Sequence, residues 1–278
     1  MTTTTPSGRG ARWLAALTRQ ARPEPGYPAS IRVVDALLGG ESTRYIAVVP
    51  DPDNRFPRAR NGEVGLIEGW ELSRAVGEVI KAERSQAQKR AIVAVIDVTS
   101  QAYGRREEGY GIHLALAAAA GAYAEARLAG HPVIGLIVGK AMSGAFLAHG
   151  YQANRLIALS DPEVMVHAMG KASAARITQR SVADLEAFAA RIPPMAYDID
   201  NFASLGLLWR CLALRDPDLP AGDDLDQVEK TLVEALSDIR VDPDRGFTGR
   251  LGAEHRQASR FVREKLRAEW SGTAVPII

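Results

Sequence analysis

The chain has 278 residues, and its 34 lysines and arginines nearly balance its 33 aspartates and glutamates, which leaves a formal charge of +1. This balance argues against a general nucleic-acid-binding protein, which would carry a basic excess. Hydrophobic residues make up 46% and charged residues 24%, so the composition is globular and excludes disorder along the whole length. The single cysteine, Cys211, excludes an intramolecular disulfide and favours a reducing, cytoplasmic location.

The N-terminal segment, residues 1–30, is predicted to be a tail with one short helix. The helix is expected to dock on the body around Ala11–Arg22, and a proline-rich connector, Arg22–Ser30, follows it. The longest apolar stretch of the chain, Leu114–Ala124, is shorter than the ~20 residues that a helix needs to cross a bilayer. We therefore expect no membrane partner.

Residues 31–215 alternate short apolar runs with longer helical patterns. The runs predicted to be buried strands are Tyr45–Val49, Ala91–Ile96, Val133–Val138, Leu156–Leu159 and Val164–His167. The predicted helices are Trp70–Gln86, Tyr110–Ala129 and Ser143–Gln152. Alternation of this kind predicts an α/β domain with a mixed or parallel sheet and helical crossovers.

A second connector, Asp216–Asp224, opens a C-terminal helical region at residues 216–278. Helices are predicted at Asp224–Ser237 and at His255–Trp270, and the second of them is strongly basic. Two helices do not bury a core alone. We therefore expect them to pack on the body or on a partner chain.

The segment His131–Gln152 is the richest in chemical signals. It contains an apolar strand expected to end at Gly139, then a small-residue turn and an alanine-rich helix. The first N–H groups of a helix are unpaired, and the small side chains of Ser143, Gly144 and Ala145 would let a ligand oxygen approach them. Such donors are typical of an oxyanion hole. Close packing of the helix under the strand needs the same residues, so both interpretations stay open.

A second loop, Asp97–Glu108, follows the predicted strand Ala91–Ile96. Open α/β sheets usually hold ligands at the carboxyl ends of their strands, so the two loops are expected to face each other across one crevice. For Glu107 and Glu108 we favour the alternative that they form a solvated helix start.

The five histidines show neither metal-ligand spacing nor a Cys/His cluster, so the sequence predicts no metal site. His167 stands at the end of a predicted strand, and it is a candidate for lining the crevice. A hydrogen-bonded core histidine is the alternative at this position.

Three stretches of the sequence resemble a known family in their residues and order. They are DVTSQAYGRREEGYG from Asp97, AGHPVIGLIVGKAMSGAFLAHGYQANRLIAL from Ala129 and DPEVMVHAMG from Asp161. They resemble the carboxyltransferase branch of the crotonase superfamily and, more closely, the gamma subunits of biotin-independent malonate decarboxylases. The resemblance covers roughly Ile31–Leu214.

The resemblance implies a fold, partners and a substrate. The implied fold is a crotonase-like ββα superhelix, here with C-terminal helices, that pairs with a homologous beta subunit as a heterodimer or a larger assembly. The implied substrate is a malonyl thioester on a separate acyl-carrier subunit, held by a phosphoribosyl-dephospho-coenzyme A arm. No cofactor is expected to be bound covalently to this chain.

The resemblance also implies which backbone amides form the oxyanion hole. The corresponding positions are Gln101 and Ala102 in the first loop, and Gly144 and Ala145 in the second. The usual Thr-Pro-Gly and Ser-Gly-Gly of these carboxyltransferases are Thr-Ser-Gln and Ser-Gly-Ala in this chain. The missing proline and second glycine argue against biotin binding, while the backbone donors remain.

The implied reaction is loss of carbon dioxide from the malonyl thioester, which leaves an enolate on the thioester oxygen. Tyr103 or His167 would then supply or position a proton, and Gly104 and Ser143 complete the candidate site. One alternative is a serine peptidase of the same superfamily, although its nucleophile position falls on Met142 and the Ser143 hydroxyl comes one residue late. Another alternative is a non-catalytic subunit that completes a neighbour's site.

Overall fold

The fold is built on one seven-stranded sheet, seen in a computed structural model that describes residues 8–272. The strands are β1 (Ile31–Leu38), β2 (Glu41–Val48), β3 (Ala91–Val98), β4 (Val133–Met142), β5 (Arg155–Leu159), β6 (Met165–His167) and β7 (Arg210–Leu212). Their order is β1-β2-β3-β4-β5-β7, and β6 pairs with the last residues of β4. Only β1 and β2 pair antiparallel, so the sheet is mixed, as the sequence predicts.

All five predicted strands are present, whereas the sequence pattern does not predict β1 or β7. Polar residues interrupt the apolar run of β1, and one of them, Asp35, lies opposite Arg44 of β2 and accepts two hydrogen bonds of 2.8 Å from its guanidinium. Gly39 and Gly40 form the two-residue turn between the strands, with φ values of +57° and +86°. Both central residues of this tight hairpin turn require positive φ, which favours glycine.

Residues 8–272 also contain ten α-helices. They are α1 (Arg9–Leu17), α2 (Leu66–Ala82), α3 (Arg105–Gly109), α4 (Ile112–Leu128), α5 (Ser143–Ala148), α6 (Lys171–Ile177), α7 (Val182–Ala189), α8 (Ile199–Ser204), α9 (Gly222–Val241) and α10 (Gln257–Gly272). Helix α2 begins four residues earlier than predicted, because the Glu68 carboxylate accepts the Gly65 N–H at 2.9 Å and caps the helix start. Helix α5 ends at Ala148 instead of Gln152.

The core lies on both faces of the parallel strands. Strands β3 and β4 are almost entirely buried, which explains their continuous apolar sequences. Helices α2 and α4 pack closely on each other at Gly69, where a Cβ atom would lie 2.7 Å from the carbonyl carbon of Ala115. This contact leaves no room for a larger residue.

Both terminal regions contribute to the same core. Helix α1 docks as predicted, with Trp13 and Leu17 buried, although it begins at Arg9 and ends at Leu17. Helix α9 packs on the body through residues such as Leu232, whereas α10 buries none of its residues. The division at residues 30 and 215 stays a prediction, and α1 and α9 share one core with the sheet. No helix between residues 8 and 272 has the length and apolar character that crossing a membrane requires.

Candidate functional site

Two neighbouring strands, β3 and β4, bring the predicted loops to the same edge of the sheet. Strand β4 continues to Met142 and does not end at Gly139, because its last residues pair with β6. This pairing places Met142 opposite His167, so Ser143 at the start of α5 lies beside the end of β6. The register of the sheet therefore assembles one site from three separate segments.

Hydrogen bonds join the two loops. The Lys140 N–H donates to Oδ1 of Asp97 at 3.2 Å. The Gly144 N–H donates to Oε1 of Gln101 at 2.8 Å. Because an N–H donor requires an oxygen acceptor, this contact also fixes the orientation of the Gln101 carboxamide. The side-chain oxygen of Gln101 thus occupies the position beside the Gly144 N–H at which a substrate oxygen is expected.

A second predicted donor, the Ala102 N–H, is already paired within the protein. The Ala102 N–H donates to the Val64 carbonyl at 2.9 Å, and Ala102 is buried. Its amide is therefore not a free oxyanion donor, contrary to the expectation. The side chain of Ala145 is also buried, in the main core beneath α5.

Ser143 connects the strand to the helix with an unusual backbone. Its φ is +58°, a left-handed value that residues other than glycine rarely adopt and that is often found at functional sites. Its Oγ donates to the Ala168 carbonyl at 2.7 Å. Among the described residues, no hydrogen bond joins Ser143 to His167. The hydroxyl is thus engaged with the backbone and lacks the partner that a serine nucleophile needs.

The His167 imidazole is held from two sides. Its Nδ1 lies 3.2 Å from the Met169 nitrogen and 3.0 Å from the Met169 oxygen. Its ring stacks on Tyr197 with the centroids 3.8 Å apart and the planes inclined by 14°. Burial lowers the pKa of His167 below its ordinary value, although the hydrogen bond to Met169 acts in the opposite direction. The ring is therefore mainly neutral at pH 7.

A mostly apolar cavity of about 350 Å³ opens beside these residues. It is lined by Ser143, Gly144, Phe146, Leu147, Tyr151, Val166, His167, Ala168, Pro193, Pro194, Ala196, Phe202, Leu205 and Leu207. Three predicted site residues, Ser143, Gly144 and His167, thus border one cavity. The segment 193–207 supplies much of the wall, and the sequence pattern does not predict its role.

A family model of the malonate decarboxylase gamma subunit matches residues 59–270. The malonyl-S-ACP:biotin-protein carboxyltransferase MADD of Malonomonas rubra is 32% identical over 225 residues, which cover 78% of this chain and 74% of the relative. The chain belongs to the malonate decarboxylase gamma-subunit family.

Solved structures of this family resemble the chain along nearly its whole length. One chain of a Pseudomonas malonate decarboxylase hetero-tetramer in complex with coenzyme A is 64% identical, with a TM-score of 0.91, over 94% of this chain and 99% of that chain. One chain of the Pseudomonas MdcD–MdcE hetero-dimer is 62% identical, with a TM-score of 0.88, over 95% of this chain and 100% of that chain.

The fold is also that of more distant carboxyltransferases. Transcarboxylase 12S has a TM-score of 0.62 at 19% identity, over 84% of this chain and 41% of that chain. At this identity the likeness concerns the fold alone. Together with the gamma-subunit match, it confirms the crotonase-like α/β fold expected from the sequence motifs.

Two further predicted residues of this gamma subunit lie away from the cavity lining. Tyr103 is exposed, and Gly104 is the N-cap residue just before α3. A Cβ atom at Gly104 would lie 2.6 Å from Nε of Arg58 and 2.7 Å from Oε2 of Glu107, so this glycine has a packing role. Glu107 is buried, and the favoured solvated helix start is wrong for this residue but correct for Glu108, which is exposed.

The described part of the gamma subunit, residues 8–272, contains no group of three or more His, Cys, Asp or Glu side chains suited to holding a metal ion. The cavity is bordered by a main-chain N–H, an imidazole and an apolar wall. In enzymes, groups of these kinds can stabilise a developing oxyanion, move a proton and exclude water, respectively.

Proposed function

We propose that this gamma subunit acts with a homologous beta subunit to convert a malonyl thioester on an acyl-carrier subunit into the acetyl thioester and carbon dioxide. The relatives assembled as an MdcD–MdcE hetero-dimer and as a hetero-tetramer support the partner. The Malonomonas relative, named for malonyl-S-ACP, supports the substrate class. The phosphoribosyl-dephospho-coenzyme A arm of the carrier and a cytoplasmic location belong to the same proposal.

The observation that carries the proposal is the hydrogen bond that the Gly144 N–H donates to the side-chain oxygen of Gln101, at the border of the cavity. A thioester carbonyl oxygen has the same trigonal geometry as the carboxamide oxygen. It takes that place when the Gln101 side chain turns away. A donor aimed at an oxygen where charge develops contributes about 2.7–4 kcal/mol in other enzymes. The same donor therefore stabilises the enolate more than the substrate.

The apolar wall favours loss of the carboxylate. None of the described residues that line the cavity is a lysine or an arginine. A carboxylate placed against Pro194, Phe202 and Leu205 loses water without gaining a cation, and it is destabilised relative to neutral carbon dioxide. The electron pair of the breaking C–C bond becomes the C=C bond of the enolate, and the carbonyl pair moves onto the thioester oxygen.

The enolate carbon must then take up a proton from solvent. Of the two candidates, His167 borders the cavity, whereas Tyr103 is absent from its lining. Nδ1 lies closer to the Met169 oxygen, at 3.0 Å, than to the Met169 nitrogen, at 3.2 Å, so Nδ1–H donates to that carbonyl. Nε2 then carries the lone pair, which takes up a proton from solvent and passes it to the enolate carbon, and the ring returns to its neutral form. We assign proton delivery to His167 for this reason. Transfer to carbon yields the acetyl thioester.

The experiment compares the reconstituted complex with the isolated chain, using malonyl-coenzyme A as the probe. Only the complex is expected to release carbon dioxide and form the acetyl thioester in a one-to-one ratio. Full activity of the isolated chain would contradict the need for a beta subunit. Absence of product from a correctly assembled complex would contradict the reaction itself.

A matched pair of variants tests the apolar wall. Leu205→Lys adds a cation beside the bound carboxylate, which stabilises the substrate but not carbon dioxide. We expect KM to fall and kcat to drop by at least tenfold, whereas Leu205→Met leaves both nearly unchanged. An unchanged kcat in the folded Leu205→Lys complex would show that the carboxylate lies elsewhere.

A further inference from the structure

The ring of Tyr197 lies flat against the imidazole of His167. The two ring centroids are 3.8 Å apart and the planes are inclined by 14°, so the rings are stacked. His167 is among the described residues that line the candidate cavity, whereas Tyr197 is not. The tyrosine therefore acts on the imidazole and not directly on a molecule in the cavity.

The backbone at Tyr197 is tied to the strand that carries His167. The Val166 N–H donates to the Tyr197 carbonyl at 2.9 Å, and Met165 forms an isolated antiparallel bridge with Asp198. Both Met165 and Val166 belong to β6, which ends at His167. The stacked rings therefore project from two paired backbone segments.

The Tyr197 side chain is also held by apolar surroundings, and it is only 6% exposed. The buried residues of its cluster are Met142, Ala174, Ala175 and Leu185. The Tyr197 hydroxyl is buried, and no described residue forms a hydrogen bond with it. A buried hydroxyl without a partner costs free energy, so a phenylalanine would fill this place at least as well. What the tyrosine supplies here is the face of its ring.

The face of an aromatic ring attracts a positive charge that lies within about 6 Å of the ring centroid. The imidazole of His167 lies well inside this range of Tyr197. Burial disfavours the charged imidazole and lowers the pKa of His167, in spite of the hydrogen bond to Met169. The ring must nevertheless become charged when it takes a proton from solvent and passes it to the enolate carbon. Stacking on Tyr197 offsets part of the free-energy cost of that charged state.

Charged side chains also lie near the stacked pair. Lys171 Nζ is 5.5 Å from the Tyr197 ring centroid and pairs with Glu186 at 2.7 Å. The Asp198 carboxylate caps the start of α8. The described residues that line the cavity add no ionisable group besides His167 and Tyr151. The positive charge of the lysine is thus balanced by its own partner, and the ring face is left to act on the imidazole.

We propose that Tyr197 is a positioning residue for proton delivery by His167, an inference that rests on the proposed function. Its ring holds the imidazole in one orientation and stabilises the imidazole while it carries a second proton. The Met169 carbonyl accepts Nδ1–H at 3.0 Å, so the second proton enters and leaves at Nε2. The imidazole returns to its neutral form when the enolate carbon is protonated.

The first measurement is an NMR titration of His167 in the full chain, with His167→Gln identifying its resonance. Tyr197→Leu keeps an apolar side chain but removes the ring face. It should lower the pKa of His167 by at least about 0.4 pH unit, which corresponds to a weak cation–π attraction. Tyr197→Phe keeps the face and should leave this pKa within about 0.2 pH unit of the wild type. Equal pKa values in the two variants would overturn the inference. If circular dichroism shows that the leucine variant does not fold, Tyr197→Met removes the ring in its place.

The second measurement follows turnover of malonyl-coenzyme A by the reconstituted complex across pH. Because Tyr197 acts through His167, Tyr197→Leu should lower kcat at least about threefold at pH 8 and leave KM within about twofold of the wild type. The fall of kcat with rising pH should also begin at a lower pH. Tyr197→Phe should behave as the wild type. A purely structural role would reduce the amount of active complex without changing the shape of the pH profile.

The two measurements separate this inference from the proposed function. An active complex whose pH profile is the same in Tyr197→Leu as in the wild type would overturn the inference. An inactive wild-type complex, in a chain that still shows the shifted His167 pKa in Tyr197→Leu, would contradict only the proposed function.

Discussion

For Gly144, a packing role and a catalytic role predict different effects of substitution on stability and turnover. A Cβ at this position would lie 3.3 Å from Oε1 of Gln101 and 3.5 Å from Cδ1 of Leu116, which is tight but possible. The residue is not among those with positive φ, so its backbone accepts other amino acids. The absence of a side chain therefore matters mainly because it leaves room for a ligand oxygen at the N–H, and the backbone conformation does not require it.

Substituting Gly144 separates these roles. Gly144→Val extends methyl groups toward the place of the substrate oxygen without removing the N–H, so turnover of the complex should fall at least tenfold with little change in Tm. Valine is tolerated in helices at well under ~1 kcal/mol. Gly144→Ala is the control and should retain most activity. A Tm that falls together with turnover, as overpacking by roughly 1–3 kcal/mol would cause, would instead indicate a packing glycine. Undiminished turnover would assign the chemistry to the beta subunit.

Ser143 is expected to be dispensable for the chemistry. Its hydroxyl donates to the Ala168 carbonyl, so Ser143→Ala removes one hydrogen bond with a net contribution of about 0.5–1.5 kcal/mol. Turnover of the complex should stay within about threefold of the wild type. Ser143→Gly is the control for the left-handed backbone, which glycine adopts without strain. Loss of several orders of magnitude in folded Ser143→Ala would favour the serine hydrolase.

The sequence predicts the position of a residue at the cavity where neighbouring residues in the chain determine that position. Ser143 and Gly144 follow directly from a strand, a small-residue turn and a helix, and His167 from a strand end. The sequence does not indicate that the Ala102 N–H is already hydrogen-bonded, because its acceptor, the Val64 carbonyl, is distant in sequence. The wall around Phe202 was missed for a similar reason, since short helices and turns without clear periodicity supply it.

At the scale of elements, a buried histidine ties α5 to the sheet and to α4. His149 Nδ1 accepts the Tyr123 hydroxyl at 3.0 Å, which leaves Nε2–H to donate to the Val95 carbonyl at 3.1 Å. Both side chains are completely buried. Burial lowers the pKa of His149 to about 4, because the charged ring would lose its hydration. The helix that begins at Ser143 is thus anchored at its other end by a neutral imidazole.

This anchor predicts a pH-dependent stability. The pKa of His149 is about 4 in the folded chain and about 6.5 when unfolded, so its contribution is complete above pH 6.5 and declines as the pH falls toward 4. The free energy of unfolding should lose about 3 kcal/mol from this group over that range. Urea unfolding at several pH values measures it. His149→Gln, less stable at pH 7.5, should show a correspondingly shallower decline, and an equal decline in both proteins would contradict the assignment.

At the scale of the whole molecule, one arginine joins the N-terminal helix to the C-terminal connector. Arg9 is 8% exposed and binds Asp161 at 2.8 Å, Asp218 at 2.9 Å and the Val138 carbonyl at 3.2 Å. Trp13 adds a hydrogen bond of 2.8 Å to the Pro217 carbonyl. Segments that the sequence pattern separates by proline-rich connectors therefore meet at the sheet edge. Composition locates the connectors but does not indicate that they fold back together.

Removing this arginine should destabilise the entire fold. Arg9→Met leaves Asp161 partly buried without its cation, and breaking such a pair typically costs about 3–5 kcal/mol. Arg12 provides the control, because it pairs with the same Asp218 at 2.6 Å but is 36% exposed. An exposed pair contributes about 0–1 kcal/mol, so Arg12→Met should change the urea midpoint only slightly. Since α1 shares its core with β2, β3 and β4, the Arg9→Met chain should unfold in one transition at lower urea. A separate early transition would mean that α1 detaches alone, and equal effects of both substitutions would show that burial of Arg9 is not what matters.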